Sequence, residues 1–154
     1  ELLGCLDADP PIKAGDAGEI VAARCAWNGQ GIWFKPRKQG ESDAAYQIRN
    51  WYHFLWVCGD HIVEQHVHNL DVCNWFVGAH PVKATAMGGR GFGRQAGDPN
   101  VVGHIWDHFA VEFEYPSGAK MFSYCRHYPG PNDISETVIG TKGVCRTSDK
   151  STFT

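Results

Sequence analysis

The chain has 154 residues and a formal net charge of −3, and 43% of its residues are hydrophobic and 12% aromatic. That length suits one domain with a sizeable core and excludes a wholly disordered chain. The charge excludes general attraction to nucleic acid, and no apolar run approaches the roughly 20 residues of a membrane helix.

Residues 1–18, "ELLGCLDADPPIKAGDAG", read as a loose lead-in. They have neither the basic start nor the apolar block of a signal peptide. The expectation is therefore a cytoplasmic protein, with periplasmic export of a longer protein left open. "GEIVAARCAW" (18–27) reads as a strand, with β-branched residues after a glycine. Residues 28–50 show no sustained period and read as a long loop. "RNWYHFLW" (49–56) has two readings. Arg49, Trp51, Tyr52 and His53 could line a polar pocket, because aromatics and Arg suit stacking and bidentate contacts. For Phe54 and Trp56 a buried strand is preferred.

"DHIVEQHVHNLDVCNWFVG" (60–78) is the principal helix, with Asp60 as N-cap and Gly78 as the C-terminal stop. Val63, Val67, Leu70 and Asn74 fall on one stripe. Glu64, His68, Asp71 and Trp75 fall on another, at spacings of four, three and four, while His66 points elsewhere. "HPVKATAMGG" (80–89) reads as a strand and "GRGFGRQAGDPN" as a loop that does not match G-x-G-x-x-G. Residues 107–128 read as a hairpin turning at "PSGA", and their strong alternation places it centrally in the sheet. "DISETVIGTKGVCRTS" suggests two short strands around the turn "GTKG". The sum is an α+β architecture, mainly antiparallel sheet with one principal helix.

Cysteines stand at 5, 25, 58, 73, 125 and 145, with no Cys-x-x-Cys pair. They read as small buried hydrophobes in a reducing compartment, with three disulfides as the alternative. A metal site is the weaker reading of the histidines, because His66 and His68 diverge on a helix and H-E-x-x-H is absent. No metal is expected. Proton transfer fits better: His68 has a carboxylate one turn before it and another one turn after, an arrangement that suits a general acid or base. A solvated helix face is the competing reading, its pairs contributing only a few tenths of a kcal/mol each. Arg126 and His127 close a strand and either reach a pocket at the sheet's edge or are solvated there.

"GDHIVEQHVHNLDVCNWFVGAHPVKATAMGGR", followed by "DHFAVEFEYPSG", "SYCR" and "ETVIGTKG", resembles the C-terminal domain of the Gfo/Idh/MocA oxidoreductases (glucose-fructose oxidoreductase, inositol dehydrogenase). The resemblance covers nearly all of residues 18–145. It implies an open, mostly antiparallel sheet with helices on one face, as in the C-terminal domain of glyceraldehyde-3-phosphate dehydrogenase. It gives His68 the role of the family's histidine, near the reacting carbon of a sugar or cyclitol. Glu64 stands where the family has an aspartate four residues before it. Arg49, Trp51, Tyr52, Asp71 and Arg126 are the substrate-pocket candidates. The resemblance also implies NAD or NADP, bound mainly by an N-terminal Rossmann domain with a Glu-Lys-Pro lysine, and neither is in this sequence. Residues 1–154 then form one substrate-binding and assembly domain, inactive alone, that pairs with a second copy through its sheet face. The alternatives are a non-catalytic sugar-binding or assembly module and a metal-dependent hydrolase or isomerase.

Overall fold

The computed structural model describes residues 15–91, 103–147 and 152–153. Most of the lead-in, with Cys5, and most of the loop after residue 89 lie outside them. Seven strands are described: β1 (Ile20–Gly29), β2 (Lys83–Gly89), β3 (His108–Glu114), β4 (Lys120–His127), β5 (Asp133–Gly140), β6 (Val144–Thr147) and β7 (Thr152–Phe153). They form one sheet in the order β2-β3-β4-β1-β5-β6-β7. Every pair is antiparallel except β1 with β4. The expected α+β class and open, mostly antiparallel sheet are therefore observed.

The hairpin forms where its alternation placed it, as β3 and β4. It supplies the second and third strands, however, and β1 takes the middle. The pairing of β1 shows this: Cys25 lies beside Ser123 on one side and Glu136 on the other.

Four helical segments lie among the described residues: α1 (Asp43–Arg49), α2 (Leu55–Cys58), α3 (His61–Glu64) and α4 (Val67–Val77), with a 3-10 turn at Trp51–His53. Three of these correct the sequence reading. Residues 28–50 are not all loop, because Ser42 caps α1 by accepting a hydrogen bond from the Ala45 amide. Asp43 in the first turn and Arg49 in the last complement the helix dipole. "RNWYHFLW" is not a strand. The buried Asn50 side chain holds both the amide and the carbonyl of Lys35 at 2.9 and 3.0 Å, which fixes a turn there. Phe54 is buried as expected, but Trp56 is 63% exposed.

The principal helix begins and ends where the sequence placed it. Asp60 caps α3, and Gly78 closes α4 in the left-handed region with φ 69°. Between them the helix breaks. The His66 amide reaches back five residues to the His61 carbonyl, and the His68 amide only three, to Gln65. A wide turn of this kind shifts the phase of the next helical segment by about 100°. Val63 and Val67, from the stripe that continues to Leu70 and Asn74, are exposed, while His66, Asn69, Val72 and Cys73 are buried. α4 lies across β1 and β5, and α3 sits on β4.

The main core is Ala23, Cys25, Cys73, Tyr115, Ala119, Met121, Val138 and Cys145, with Leu70 and Phe76 packed against it. A smaller core joins Tyr52, Cys58 and Ile105. The five described cysteines are buried thiols, and no disulfide joins them. The opposite sheet face carries Phe122 and Tyr124, exposed where their neighbours Met121, Ser123 and Cys125 are buried. Met87 on β2 is exposed as well, and Arg24 on β1 pairs with Asp133 at 2.6 Å.

Candidate functional site

The polar groups collect where the helix begins and breaks. Asp60 has φ 76°, a conformation a non-glycine residue adopts only when its surroundings hold it. Two hydrogen bonds do so: the His61 amide donates to Oδ1 at 2.7 Å and the Trp106 amide to Oδ2 at 3.0 Å. Asp60 thereby ties the start of α3 to the segment entering β3.

His61 and Glu64 are three residues apart on α3, so they share one face. Tyr52, from the 3-10 turn, lies across that face, with its hydroxyl 2.9 Å from His61 Nδ1. Burial pushes the Tyr52 pKa well above the usual phenol range, and the hydrogen bond and negative charge of Glu64 push it further. The hydroxyl therefore keeps its proton at any physiological pH. Glu64 Oε2 is buried and takes no hydrogen bond. The His127 ring stands 4.7 Å from the His61 ring, and its Nε2 is 2.6 Å from the Trp106 carbonyl oxygen. His127 is thus buried under α3 rather than solvated at the sheet's edge.

His68, Asp71 and Trp75 follow on α4 as an exposed stripe at spacings of three and four. The Trp27 ring, at the end of β1, lies 6.3 Å from the imidazole of His68. Glu64 and His68 stand on opposite sides of the helix break. No ion pair joins them among the described residues: Glu64 faces Tyr52, while His68 faces outward beside Trp27. The four-residue spacing that brings such a pair together on a continuous helix is interrupted here.

His66 points into the core. It is 0% exposed, with Nε2 2.7 Å from Ser123 Oγ and 3.7 Å from Cys25 Sγ. Hydrogen bonds from Cys73 and His66 hold the Cys25 thiol below the usual thiol range against the opposing effect of burial. Burial pushes Cys125 up to about 12. The remaining candidates are engaged within the chain. Arg49 holds both carboxylate oxygens of Glu41 at 2.7 Å and the Pro36 carbonyl oxygen. Arg126 donates to the carbonyls of Gly29, Tyr128 and Pro131 and lies over the Tyr128 ring. Trp51 is partly exposed, 6.0 Å from the Trp33 ring.

The sequence reading named Tyr52 and Glu64 but not the cluster that joins them to His61 and His127. Its only local signal was the i, i+3 spacing of His61 and Glu64 behind the capping Asp60. Among the described residues no group of three or more His, Cys, Asp or Glu side chains could hold a metal ion. No helix among them is long and apolar enough to cross a membrane.

A family model described as "Oxidoreductase family, C-terminal alpha/beta domain" matches residues 11–154. No curated protein matches the chain. Among solved structures, myo-inositol 2-dehydrogenase from Lactobacillus plantarum is 18% identical, with a TM-score of 0.61 over 88% of this chain and 35% of that one. A levoglucosan dehydrogenase in complex with NADH and L-sorbose is 15% identical, with a TM-score of 0.64 over 91% of this chain and 40% of that one. The super-repressor mutant of Gal80p from Saccharomyces cerevisiae is 14% identical, with a TM-score of 0.68 over 100% of this chain and 44% of that one. At these identities the likeness shows a shared fold. The chain spans well under half the length of each of these proteins.

Proposed function

The chain belongs to the Gfo/Idh/MocA oxidoreductase family, and from that premise we propose that it is the substrate-binding half of an NAD- or NADP-dependent dehydrogenase acting on a sugar or cyclitol hydroxyl. The observation that carries this reading is the exposed His68 on α4, inside a family match over residues 11–154, and in this proposal it takes the role of the family's histidine. Neighbours of the same fold include a myo-inositol 2-dehydrogenase and a levoglucosan dehydrogenase bound to NADH and L-sorbose, which supports the substrate class and the nicotinamide.

The described residues do not fit a dinucleotide. They contain no strand, Gly-rich turn and helix in sequence, and the one parallel pair, β1 with β4, is joined through β2 and β3. In this proposal the cofactor is held by another part of a longer parent protein, and this chain by itself turns over no substrate. Its own residues hold the substrate and move a proton. His68 takes the hydroxyl proton during oxidation and returns it during reduction. Asp71, one turn along the same exposed stripe, accepts hydrogen bonds from neighbouring substrate hydroxyls. Trp51 offers an apolar ring face, and Tyr52 and Glu64 form the floor beside the helix break. Arg49 and Arg126 hold the walls by fixing residues 36–49 and 126–131. The open sheet face with Phe122 and Tyr124 meets a second copy of the chain.

The test is turnover by the parent protein with aldoses and cyclitols, using NAD and then NADP. Oxidation of at least one such substrate, with reduction of the nicotinamide, is expected. Saturable sugar binding with no turnover on either cofactor would overturn the dehydrogenase reading in favour of a non-catalytic module.

A further inference from the structure

Trp27 is the aromatic side chain that meets His68, with ring centroids 6.3 Å apart and the planes tilted by 39°. Its position follows from the alternation of β1. Ala23 and Cys25 share its face of the strand and are buried, and Cys25 Sγ lies 3.7 Å from His66 Nε2. Two residues further along, Trp27 stands beside His68, and there the cover ends: the indole is half-buried and His68 is exposed. Across the sheet Trp27 lies between Cys125, which is buried, and Ile134, which is 44% exposed. Residues opposite one another in a sheet put their side chains on one face, so Trp27 and Ile134 make a joint apolar surface at the end of the sheet, with His68 at its border. The next residue on that face is Gly29, which adds no side chain; a Cβ there would lie 3.6 Å from the indole Nε1. The backbone around it is fixed. Arg126 holds the Gly29 carbonyl at 2.9 Å, and Gln30 Nε2 donates to the Gly130 carbonyl and to Asn132 Oδ1, each at 2.7 Å. Trp51, the other tryptophan assigned to the site, has its ring contacts with Trp33 and Tyr52 instead.

We propose that Trp27 is the substrate-stacking residue of this site: a cyclic polyol lies with its C–H face against the indole and presents a rim hydroxyl to His68. The proposal rests on the dehydrogenase reading for the class of substrate and names what orients it. Pyranose and cyclitol rings carry hydroxyls round the rim and C–H groups on a face, so they match a flat apolar side chain bordered by a polar one. Stacking fixes the plane of the ring and leaves the rim within reach of the imidazole. An open-chain polyol has the same hydroxyls but no rigid face, so it gains less from the indole. Trp27 therefore sets a preference for cyclic over open-chain polyols.

Binding and kinetics in the parent protein test it. Isothermal titration with myo-inositol and aldopyranoses, with D-glucitol as the open-chain comparison, reads binding without turnover. The rings should bind more tightly than D-glucitol. Trp27→Leu, which keeps an apolar side chain on the sheet, should weaken ring binding about tenfold and D-glucitol binding less than about twofold, the scale of one aromatic contact. KM for a ring substrate should rise by the same factor, with a smaller change in kcat. An unchanged ring-to-chain ratio overturns the proposal, and so does an equal loss for both, which would make Trp27 only a cover for the end of the sheet. A second measurement does not depend on how Trp27→Leu folds. In protein labelled with fluorotryptophan, the fluorine resonance that Trp27→Phe removes should move when a ring compound saturates the site; a resonance unmoved by a bound ring overturns the proposal. Rings that bind against Trp27 with no reduction of nicotinamide would refute the dehydrogenase reading alone. Turnover of a sugar with the Trp27 resonance unmoved would refute the stacking alone.

Discussion

Replacing His66 and Ser123, singly and together, tests how a polar pair is held in the core. His66 is fully buried and Ser123 nearly so, with 2.7 Å between Nε2 and Oγ. Ser123→Ala leaves His66 Nε2 with only the Cys25 sulfur at 3.7 Å, a weak partner. A buried polar group stripped of its partner costs about 1–3 kcal/mol, and that is the expected loss. His66→Leu strands the Ser123 hydroxyl instead. The same change also removes His66 Nδ1, which is already buried without a hydrogen bond, so the cost should fall near about 1 kcal/mol. With both partners gone, no polar group is left unpaired, and the double variant should be no less stable than Ser123→Ala alone. The coupling is then about 1–2 kcal/mol. Urea denaturation at neutral pH measures it, and for a chain of this size each kcal/mol moves Tm by about 2–4 °C. Single effects that add to within about 0.3 kcal/mol would refute the buried His66–Ser123 bond.

The Glu41–Arg49 pair predicts an acid effect. Hydrogen bonds from Arg49 and from the Lys38 amide lower the Glu41 pKa from 4.5 to about 2, so its stabilisation is complete above the higher value and is lost as pH falls toward the lower. Glu41→Gln should remove that part of the acid dependence, seen as a shallower fall of the urea midpoint between those two pH values. Gly103 has φ 71°, and an added Cβ there would collide with the His53 carbonyl, so Gly103→Ala should destabilise by about 2–4 kcal/mol in a thermal melt. A loss below about 0.5 kcal/mol would contradict that placement. Phe122→Asp combined with Tyr124→Asp should turn an oligomer into a monomer by light scattering without changing the circular dichroism; a variant that stays oligomeric would remove the sheet face as the interface.

The hairpin was readable because β3 and β4 alternate over a tight turn, a pattern set by local sequence. The ends of the principal helix were readable for the same reason: Asp60 and Gly78 are local signals. The break between them was not, because neither proline nor glycine marks residues 65–66. The contacts that hold the break come from far along the chain. His66 meets Ser123, 57 residues later, and Asn69 donates to Glu136, 67 residues later. A local sequence window therefore does not show that His66 and Asn69 are buried while Val63 and Val67 are exposed. α1 escaped notice because it is short and buries no residue, though its cap at Ser42 was visible. The aromatic run at 49–56 resembled a strand until Asn50 bound Lys35, 15 residues earlier. At the site, the alignment of Glu64 with His68 assumed an unbroken helix. Their different surroundings follow from the break.

The central claim is that His68 exchanges the substrate's proton, and chemical rescue tests it most directly. His68→Ala in the parent protein should lower kcat by about two to four powers of ten, the usual range for a general acid–base group. Added imidazole should restore part of that loss in a saturable way, with no effect on the unsubstituted enzyme. Turnover by His68→Ala equal to that of the unsubstituted enzyme, with or without imidazole, would contradict the account and leave the exposed stripe on α4 as a solvated helix face.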